Sequence, residues 1–460
     1  MAGDYNGGIM LKLSAYNIVV PPDDSGRGIV YNTRTGALAV VGESALGVLR
    51  LKQPFDETEC VEATADTLGQ MIEAGFLVDG DRDEFVEVEA EYCLLQQDPS
   101  ALSLCIAPTY TCNLACPYCY EEGRSASGKK MDDAMQDKIV EFAKIAYATQ
   151  PYDRIEVQWY GGEPMLVPEA IERISAGLMA FCEERGLGYN AMVISNAARI
   201  GAEEAAMLKR SCVNEVLVTV DGPEREHNKR RPARDGSNSY EAVLDGIGHL
   251  VRECIDVKPV MNTDRVNDPL LDELNEQLQE RFGLSAVRAK LNDYYGTFGH
   301  GHFCEPGFSL MDHPEFTRLQ CSRFCEECHG PGEFAELLQP IPLFCRGQKE
   351  RYYCIDAMGD VYKCDGHMGR TDHVLFNLDD VAQPDDIPTD TAPAYPFDDA
   401  ACIACNLLPL CKGTCEWERK CCTDHPCHPL KYTANEYLRG WADALGEAPE
   451  GEFAVLAVAE

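Results

Sequence analysis

Three cysteines carry the sharpest chemical signal in this chain. Cys112-Asn-Leu-Ala-Cys116-Pro-Tyr-Cys119 follows an apolar run at 102–107 that reads as a strand. Intervals of three and two residues gather three thiolates around one point on a loop, a donor set suited to a soft metal. A structural zinc site would want a fourth Cys or His close by, and none lies between Cys119 and Cys182. A four-iron cluster has four corners, so three protein thiolates leave one iron open for a ligand.

The elements that must position this loop alternate in type. Strand patterns at 102–107, 155–160, 191–195, 215–220, 257–262 and 286–291 are separated by helical patterns at about 131–148, 168–185, 202–210, 239–253 and 269–282. Six strands alternating with helices predict an α/β fold with a parallel sheet, open or closed into an incomplete barrel. Sites in such sheets form at the carboxyl ends of strands, and the motifs fall there. The thiol loop leaves the first strand. Gly161-Gly162-Glu163-Pro164 ends the second, 42 residues after Cys119. Ser195-Asn196 ends the third and Asp221-Gly222-Pro223 the fourth.

With these motifs in these places the sequence resembles the radical SAM superfamily. The resemblance implies a partial (β/α)6 radical SAM barrel and a [4Fe-4S] cluster on Cys112, Cys116 and Cys119. The amino and carboxyl groups of S-adenosylmethionine (SAM) would chelate its open iron. One electron then splits SAM into methionine and a 5′-deoxyadenosyl radical, which takes a hydrogen atom from substrate. The resemblance also places Tyr118 near the adenine. It makes Gly161, Gly162, Glu163 and Pro164 the motif that holds the SAM amino group, and Ser195 with Asn196 the polar pair near the ribose and carboxylate. Ala197 stands where the family usually has Gly. Asp221 opens a D-G-x4-H-N run, Asp221 to Asn228, similar to one in peptide-modifying members; by itself it reads equally as a turn residue. The resemblance further implies an Arg near it for the SAM carboxylate, with Arg225, Arg230 and Arg231 all open.

A second cysteine region reads Cys345-x13-Gly359-x4-Cys364, then Cys402-x2-Cys405-x5-Cys411-x3-Cys415, then Cys427. In order and spacing it resembles the SPASM extension of radical SAM enzymes. That resemblance implies two auxiliary [4Fe-4S] clusters, three in all. One takes Cys345, Cys364 and Cys415, with Cys354 as candidate fourth ligand or an open iron instead. The other takes Cys402, Cys405, Cys411 and Cys427. Asp365, directly after Cys364, stands where sulfatase-maturing relatives have a base; the plain reading is a surface turn. Cys321, Cys325 and Cys328 repeat the CxxxCxxC spacing on a helical stretch at 314–328 and read as structural or loop cysteines, with metal ligation or substrate thiol exchange as the alternative. Cys60, Cys182, Cys212 and Cys254, each alone in its pattern, read as buried and inert.

Composition sets the bounds. The chain has 460 residues, enough for two or three domains. We read 1–80 as a winged-helix-like module, 81–98 as a connecting helix or linker, 99–310 as the radical SAM core, 311–344 as a bridging segment, 345–430 as the SPASM domain and 431–460 as a C-terminal helix and tail. The module rests on strand runs at 9–13, 16–20 and 28–31, helices at about 42–51 and 59–74, and a strand at 75–78. The net charge of −37 argues against nucleic acid, whose phosphates such a surface repels. There is no run of 18 apolar residues and no signal-peptide core, so the expectation is a cytoplasmic protein with no membrane partner. In a reducing compartment, 23 cysteines read as metal ligands sooner than disulfides.

SPASM enzymes mostly modify peptides, and residues 1–80 resemble the precursor-recognition domains of ribosomal peptide (RiPP) maturases. The leading expectation is a peptide maturase that binds the leader of a precursor peptide at a sheet edge and forms a thioether or carbon–carbon cross-link. A flavodoxin- or ferredoxin-like donor would supply electrons. The alternatives are a sulfatase-type maturase that makes formylglycine, for which Cys364-Asp365 speaks, and a multi-cluster electron carrier.

Overall fold

The structure, a computed structural model, describes residues 10–24, 26–61, 63–121, 128–290, 307–326, 330–336, 338, 343, 345–389, 391, 396–415, 427–446 and 453–457. The chain divides into two compact units. The first comprises Met1–Leu95, Asp312–Cys345 and Ala394–Glu460; the second comprises Gln96–Met311 and Arg346–Pro393. Residues 345–430 are thus divided between the units, and the N-terminal residues share a unit with the C-terminal ones. Among the described residues no helix is long and apolar enough to cross a membrane.

In the first unit the strands are β1 (Met10–Leu13), β2 (Asn17–Val20), β3 (Gly28–Asn32), β4 (Leu38–Val41), β5 (Phe55–Asp56) and β6 (Leu77–Asp79). One antiparallel sheet runs β5-β1-β6. A second has the order Phe453–Ala457, β4, β3, β2. Alternate residues of β3 and β4 feed two cores, as the pleat requires. Ile29, Tyr31 and Leu38 pack with Leu438 and Trp441 of the helix Leu430–Ala444. Val30, Ala39 and Val41 pack with Leu46 of the helix Glu43–Val48. Both faces are covered, so β4 shows no polar alternation, and the sequence reading passes over it.

One expected element shifts. The helix expected from 59 begins at Ala65, because the Thr64 side chain caps it by accepting from Thr67 N at 3.1 Å. Of the two readings of 81–98, connecting helix or linker, the structure has the helix Glu84–Gln96. The tail beyond the last helix holds a strand, with Phe453 opposite Val41 and its ring edge-on to Phe76 at 6.1 Å.

The second unit carries the six expected strands: β7 (Ala101–Ile106), β8 (Arg154–Trp159), β9 (Gly188–Ser195), β10 (Val213–Thr219), β11 (Asp256–Thr263) and β12 (Val287–Lys290). They lie side by side in chain order, all parallel. The helices Asp133–Thr149, Pro168–Arg185, Ala202–Arg210, Ser239–Arg252 and Leu271–Phe282 connect them. Local signals set their ends. Asp132 and Asn238 cap the starts of two helices, and Gly186 and Gly283, at φ of +70° and +69°, close two others. The chain then extends this sheet on the other side of β7. β13 (Tyr352–Ile355) pairs with it in parallel, and β14 (Asp360–Tyr362) and β15 (Phe376–Asn377) follow antiparallel. Asp356 holds the β13–β14 turn, accepting from the backbone N–H groups of Met358 and Asp360 and from the hydroxyls of Tyr110 and Tyr362.

The docked C-terminal strand yields the first prediction. Phe453→Ala removes its aromatic anchor and should destabilise the first unit by about 2 kcal/mol, below the range for a fully buried Phe because this ring is half-buried. An unchanged urea midpoint by circular dichroism would mean the strand does not pack on β4.

Candidate functional site

The carboxyl ends of β7 to β11 surround a cavity of about 240 Å³. Its wall includes Cys112, Cys116, Cys119, Glu163, Asn196 and Arg231. Tyr118, Gly161, Gly162 and Ser195 also line it, so the four strand-end motifs meet in one place. Pro164 opens a buried turn just behind Glu163.

Glu163 ties two of these strand ends together. Its Oε1 accepts from Ser195 Oγ at 2.8 Å and from Met165 N at 3.0 Å, and its Oε2 accepts from Asn196 N at 2.8 Å. The carboxyl is almost wholly buried. Burial pushes its pKa up, opposed by the bonds from Asn196, Met165 and Ser195. Asn196 Nδ2 reaches the thiol loop, donating to Asn113 Oδ1 at 2.9 Å.

The two glycines serve close backbone packing. A Cβ on Gly161 would lie 2.5 Å from Thr109 O, and one on Gly162 would lie 2.4 Å from Tyr110 O. Gly161 also has φ of +108°, a region open to glycine. Two bonds hold this loop on the first, Gly162 N to Thr109 O at 3.1 Å and Glu163 N to Thr111 O at 2.9 Å. The glycine requirement visible here comes from the protein's own backbone.

Of the three candidate arginines, Arg231 faces the cavity. Its Nη1 donates to Tyr118 OH at 2.7 Å, and the Tyr118 hydroxyl bonds Asp221 Oδ2. Asp221 is fully buried, and its Oδ1 accepts from Asn262 N at 2.9 Å. Burial disfavours the Arg231 charge, but Cys116, Tyr118 and Asp221 hold it on. Arg230 is instead fixed within the unit by Glu226 and Asp264, each at 2.7 Å. Arg225 lies on another pocket, outside this cavity. His227 explains its place in the Asp221 run by accepting from Asp221 N at 3.3 Å; burial takes its pKa down to about 3, so the ring stays neutral.

The segment after Arg231 clamps the thiol loop. Ala115 N donates to Pro232 O at 2.8 Å, Arg234 N to Asn113 O at 3.0 Å, and Arg234 Nε to Cys112 O at 3.1 Å. Sequence reasoning missed this clamp and also missed Tyr120, Tyr160 and Asn262 in the wall. Asn262 and Tyr160 had a signal, each with a polar group at the end of a predicted strand.

Burial pushes the Cys112 thiol up to about 12, with Glu163 adding to it, and raises Cys116 and Cys119 as well. Metal ligation would have to displace those protons. Among the described residues no three His, Cys, Asp or Glu side chains are set to hold a single ion; a cluster spreads its thiolates over several irons. The cavity fits a cluster with SAM on three counts. Three thiols line it. Glu163 Oε2 accepts only one bond among the described residues. The Nε of buried Arg231 has no hydrogen-bond partner.

The other predicted residues fall in two places. In the first unit Cys402, Cys405, Cys411 and Cys427 come together. Burial, then Cys405, Cys402 and Cys427, push the Cys411 thiol up to about 12. Lys412, Gly413 and Thr414 all have φ near +50° to +95°, an unusual run for two non-glycines. Cys345 and Cys415 belong to this unit, Cys354 and Cys364 to the second. Asp365 is half-buried in the second unit and accepts from Gly366 N at 2.9 Å.

Cys321 and Cys325 share one face of the helix His313–Glu326, where burial, then Cys325, pushes the Cys321 thiol up to about 12; Cys328 lies outside the described residues. Two inert cysteines need correction. Cys254 is exposed and Cys212 half-buried. Both follow helix ends at φ near +54°, where the chain turns at the surface instead of continuing a buried pattern.

Ala197, standing in for Gly, has φ of +59°, a strained choice. Ala197→Gly should therefore raise stability by about 1 kcal/mol. Gly246→Ala should lower it by several times that, because its Cβ would lie 2.1 Å from Ala197 O. Equal melting temperatures for the three proteins would contradict this packing.

Comparison with known proteins agrees with the motifs. Residues 106–265 match the radical SAM superfamily model. The serine-type anaerobic sulfatase-maturating enzyme of Klebsiella aerogenes is 29% identical over 147 residues, 32% of this chain and 35% of that protein. A probable GTP 3′,8-cyclase of Methanocella arvoryzae is 28% identical over 204 residues, 43% of this chain and 59% of that protein. The chain matches about a third of the length of the sulfatase-maturating relatives. The solved structure of native anSMEcpe with bound AdoMet and Kp18Cys peptide superposes with a TM-score of 0.59 at 18% identity, covering 75% of this chain and 99% of that one. That likeness is one of fold. The cavity and the family match fall on the same strand ends, so residues 106–265 form a radical SAM domain.

Proposed function

We propose that the protein is a SAM-dependent radical maturase that modifies a peptide. The observation that carries this is the meeting of three thiols, the Glu163 carboxylate and the Arg231 guanidinium in one cavity at the strand ends. Cys112, Cys116 and Cys119 hold a cluster, and Cys402, Cys405, Cys411 and Cys427 hold an auxiliary one. The remaining SPASM-pattern cysteines serve another on their spacing alone. When bound, cluster and SAM supply a 5′-deoxyadenosyl radical that takes a hydrogen atom from substrate.

The chain's residues supply placement. Glu163 Oε2 keeps a lone pair for the SAM ammonium, and Arg231 Nε keeps an N–H for its carboxylate. Asp221 and Arg231 lock the Tyr118 hydroxyl and so orient its ring. The cysteine usage suits a reducing, cytoplasmic setting with a flavodoxin- or ferredoxin-like donor. The N-terminal strands and short helices suit a winged-helix-like module that takes a leader peptide, and we place the product among thioether or carbon–carbon cross-links.

A sulfatase-type maturase is the second reading. The sulfatase-maturating relatives favour it, as does Asp365, which lies near enough to Cys354 to act on its thiol and would serve as base.

The test is anaerobic reconstitution with iron and sulfide, then dithionite and SAM, with 5′-deoxyadenosine measured by mass spectrometry. The wild type should form it and Cys116→Ala should not; persistent formation in the variant would reject the cluster assignment. Arg231→Lys and Tyr118→Phe should keep their iron and weaken SAM binding about tenfold, the loss of a charge-assisted or buried hydrogen bond. With a precursor peptide, loss of two hydrogens without reaction to a carbonyl reagent would support a cross-link. A reactive aldehyde would support the second reading.

A further inference from the structure

Cys105 belongs to none of the motifs, yet the sheet sets it among cysteines that do. It lies on β7 beside Cys354 of β13 in the parallel ladder, and both are wholly buried. Cys354 in turn faces Tyr362 of β14. Cys364 lies two residues beyond, past a bend at Lys363, and its thiol donates to Asp365 Oδ1 at 3.7 Å; Asp365 in turn acts on the Cys354 thiol. Paired residues share a face, so Cys105 and Cys354 project from the same side, with Cys364 close by in the chain after β14. Direct neighbours on such a face lie roughly 5 Å apart and diagonal ones roughly 7–8 Å. The Cys354 thiol is in hydrogen-bond reach of both the Cys105 thiol and Tyr352. On the far side of Cys105, Gln158 Nε2 donates to its sulfur at 3.5 Å, the kind of N–H···S bond that steadies a cluster thiolate.

We propose that Cys105 is a thiolate ligand of an auxiliary iron–sulfur cluster, shared with Cys354 on this face of the second unit's sheet and with Cys364 close by. The proposal rests on the SPASM reading of Cys354 and Cys364. Ligation exchanges three thiol protons for iron, and the radical SAM core's own first strand then anchors the auxiliary cluster.

Iron and sulfide counts and the EPR spectrum of the reduced, reconstituted full-length protein test this. The proteins compared are wild type, Cys105→Ser, Cys364→Ser, the double variant, and Cys182→Ser as a buried thiol elsewhere in the unit. Cys105→Ser should lose up to about four irons per chain, or keep them with an altered spectrum because oxygen replaces sulfur. The double variant should lose no more than Cys364→Ser alone, and Cys182→Ser should match wild type. Unchanged iron and spectrum in Cys105→Ser, with either altered in Cys364→Ser, would overturn the proposal and leave the SPASM reading standing. An equal loss in Cys182→Ser would also overturn it, as an effect of packing. No change in any variant would bring down the SPASM reading as well. Melting curves accompany each protein, and Cys105→Ala replaces serine if that variant does not fold.

Discussion

A carboxylate buried at the mouth of a parallel sheet must find donors, and Glu163 finds three on neighbouring strand ends. This constraint organises the site. Leaving such a group unsatisfied costs more than a typical hydrogen bond returns, so Ser195 and Asn196 cannot drift from the loop after β8. That loop in turn lies on the carbonyls of Thr109 and Thr111, which lead into the thiol loop. Two glycines permit the contact because no Cβ fits there. Three strand ends are thereby fixed relative to one another by one anion and two missing side chains.

The thiols raise the opposite problem. Burial disfavours their ionised forms, and in the first unit Cys405, Cys402 and Cys427 add to the burial that disfavours the Cys411 thiolate. A pocket of buried thiols gains little as protein alone. Supplied with a cation, the same thiols become strong ligands. The left-handed run at 412–414 lies between Cys411 and Cys415, and backbone held off its preferred region there is a cost its surroundings must offset. Arg231 plays a related part in the cavity, where Cys116, Tyr118 and Asp221 sustain a buried positive charge.

Much of this was legible from residue order. The six strands and five connecting helices of the second unit lie close to where apolar periodicity set them, because each repeats a local pattern over enough residues to outweigh its neighbours. The motifs sat at strand ends, so their approximate meeting place followed from the rule for parallel sheets. β4 and the strand Phe453–Ala457 were not legible. One is apolar on both faces, and the other depends on a partner at the opposite end of the chain. Cys254 was misread because an isolated cysteine has no pattern to declare its exposure.

The sequence by itself determined which chemistry is available: the thiol spacing, the glycine–glycine–glutamate turn and the order of the strands that bear them. Local spacing suffices there, since each motif acts within a few residues of itself. Only the tertiary structure decided which arginine enters the cavity, which segment clamps the thiol loop, and that Cys105 stands beside Cys354. Arg230 and Arg231 are adjacent in the chain and point to different partners, Glu226 and Asp264 for one and Tyr118 for the other. Choices of that kind are made by contacts between residues far apart in sequence, which no local pattern records.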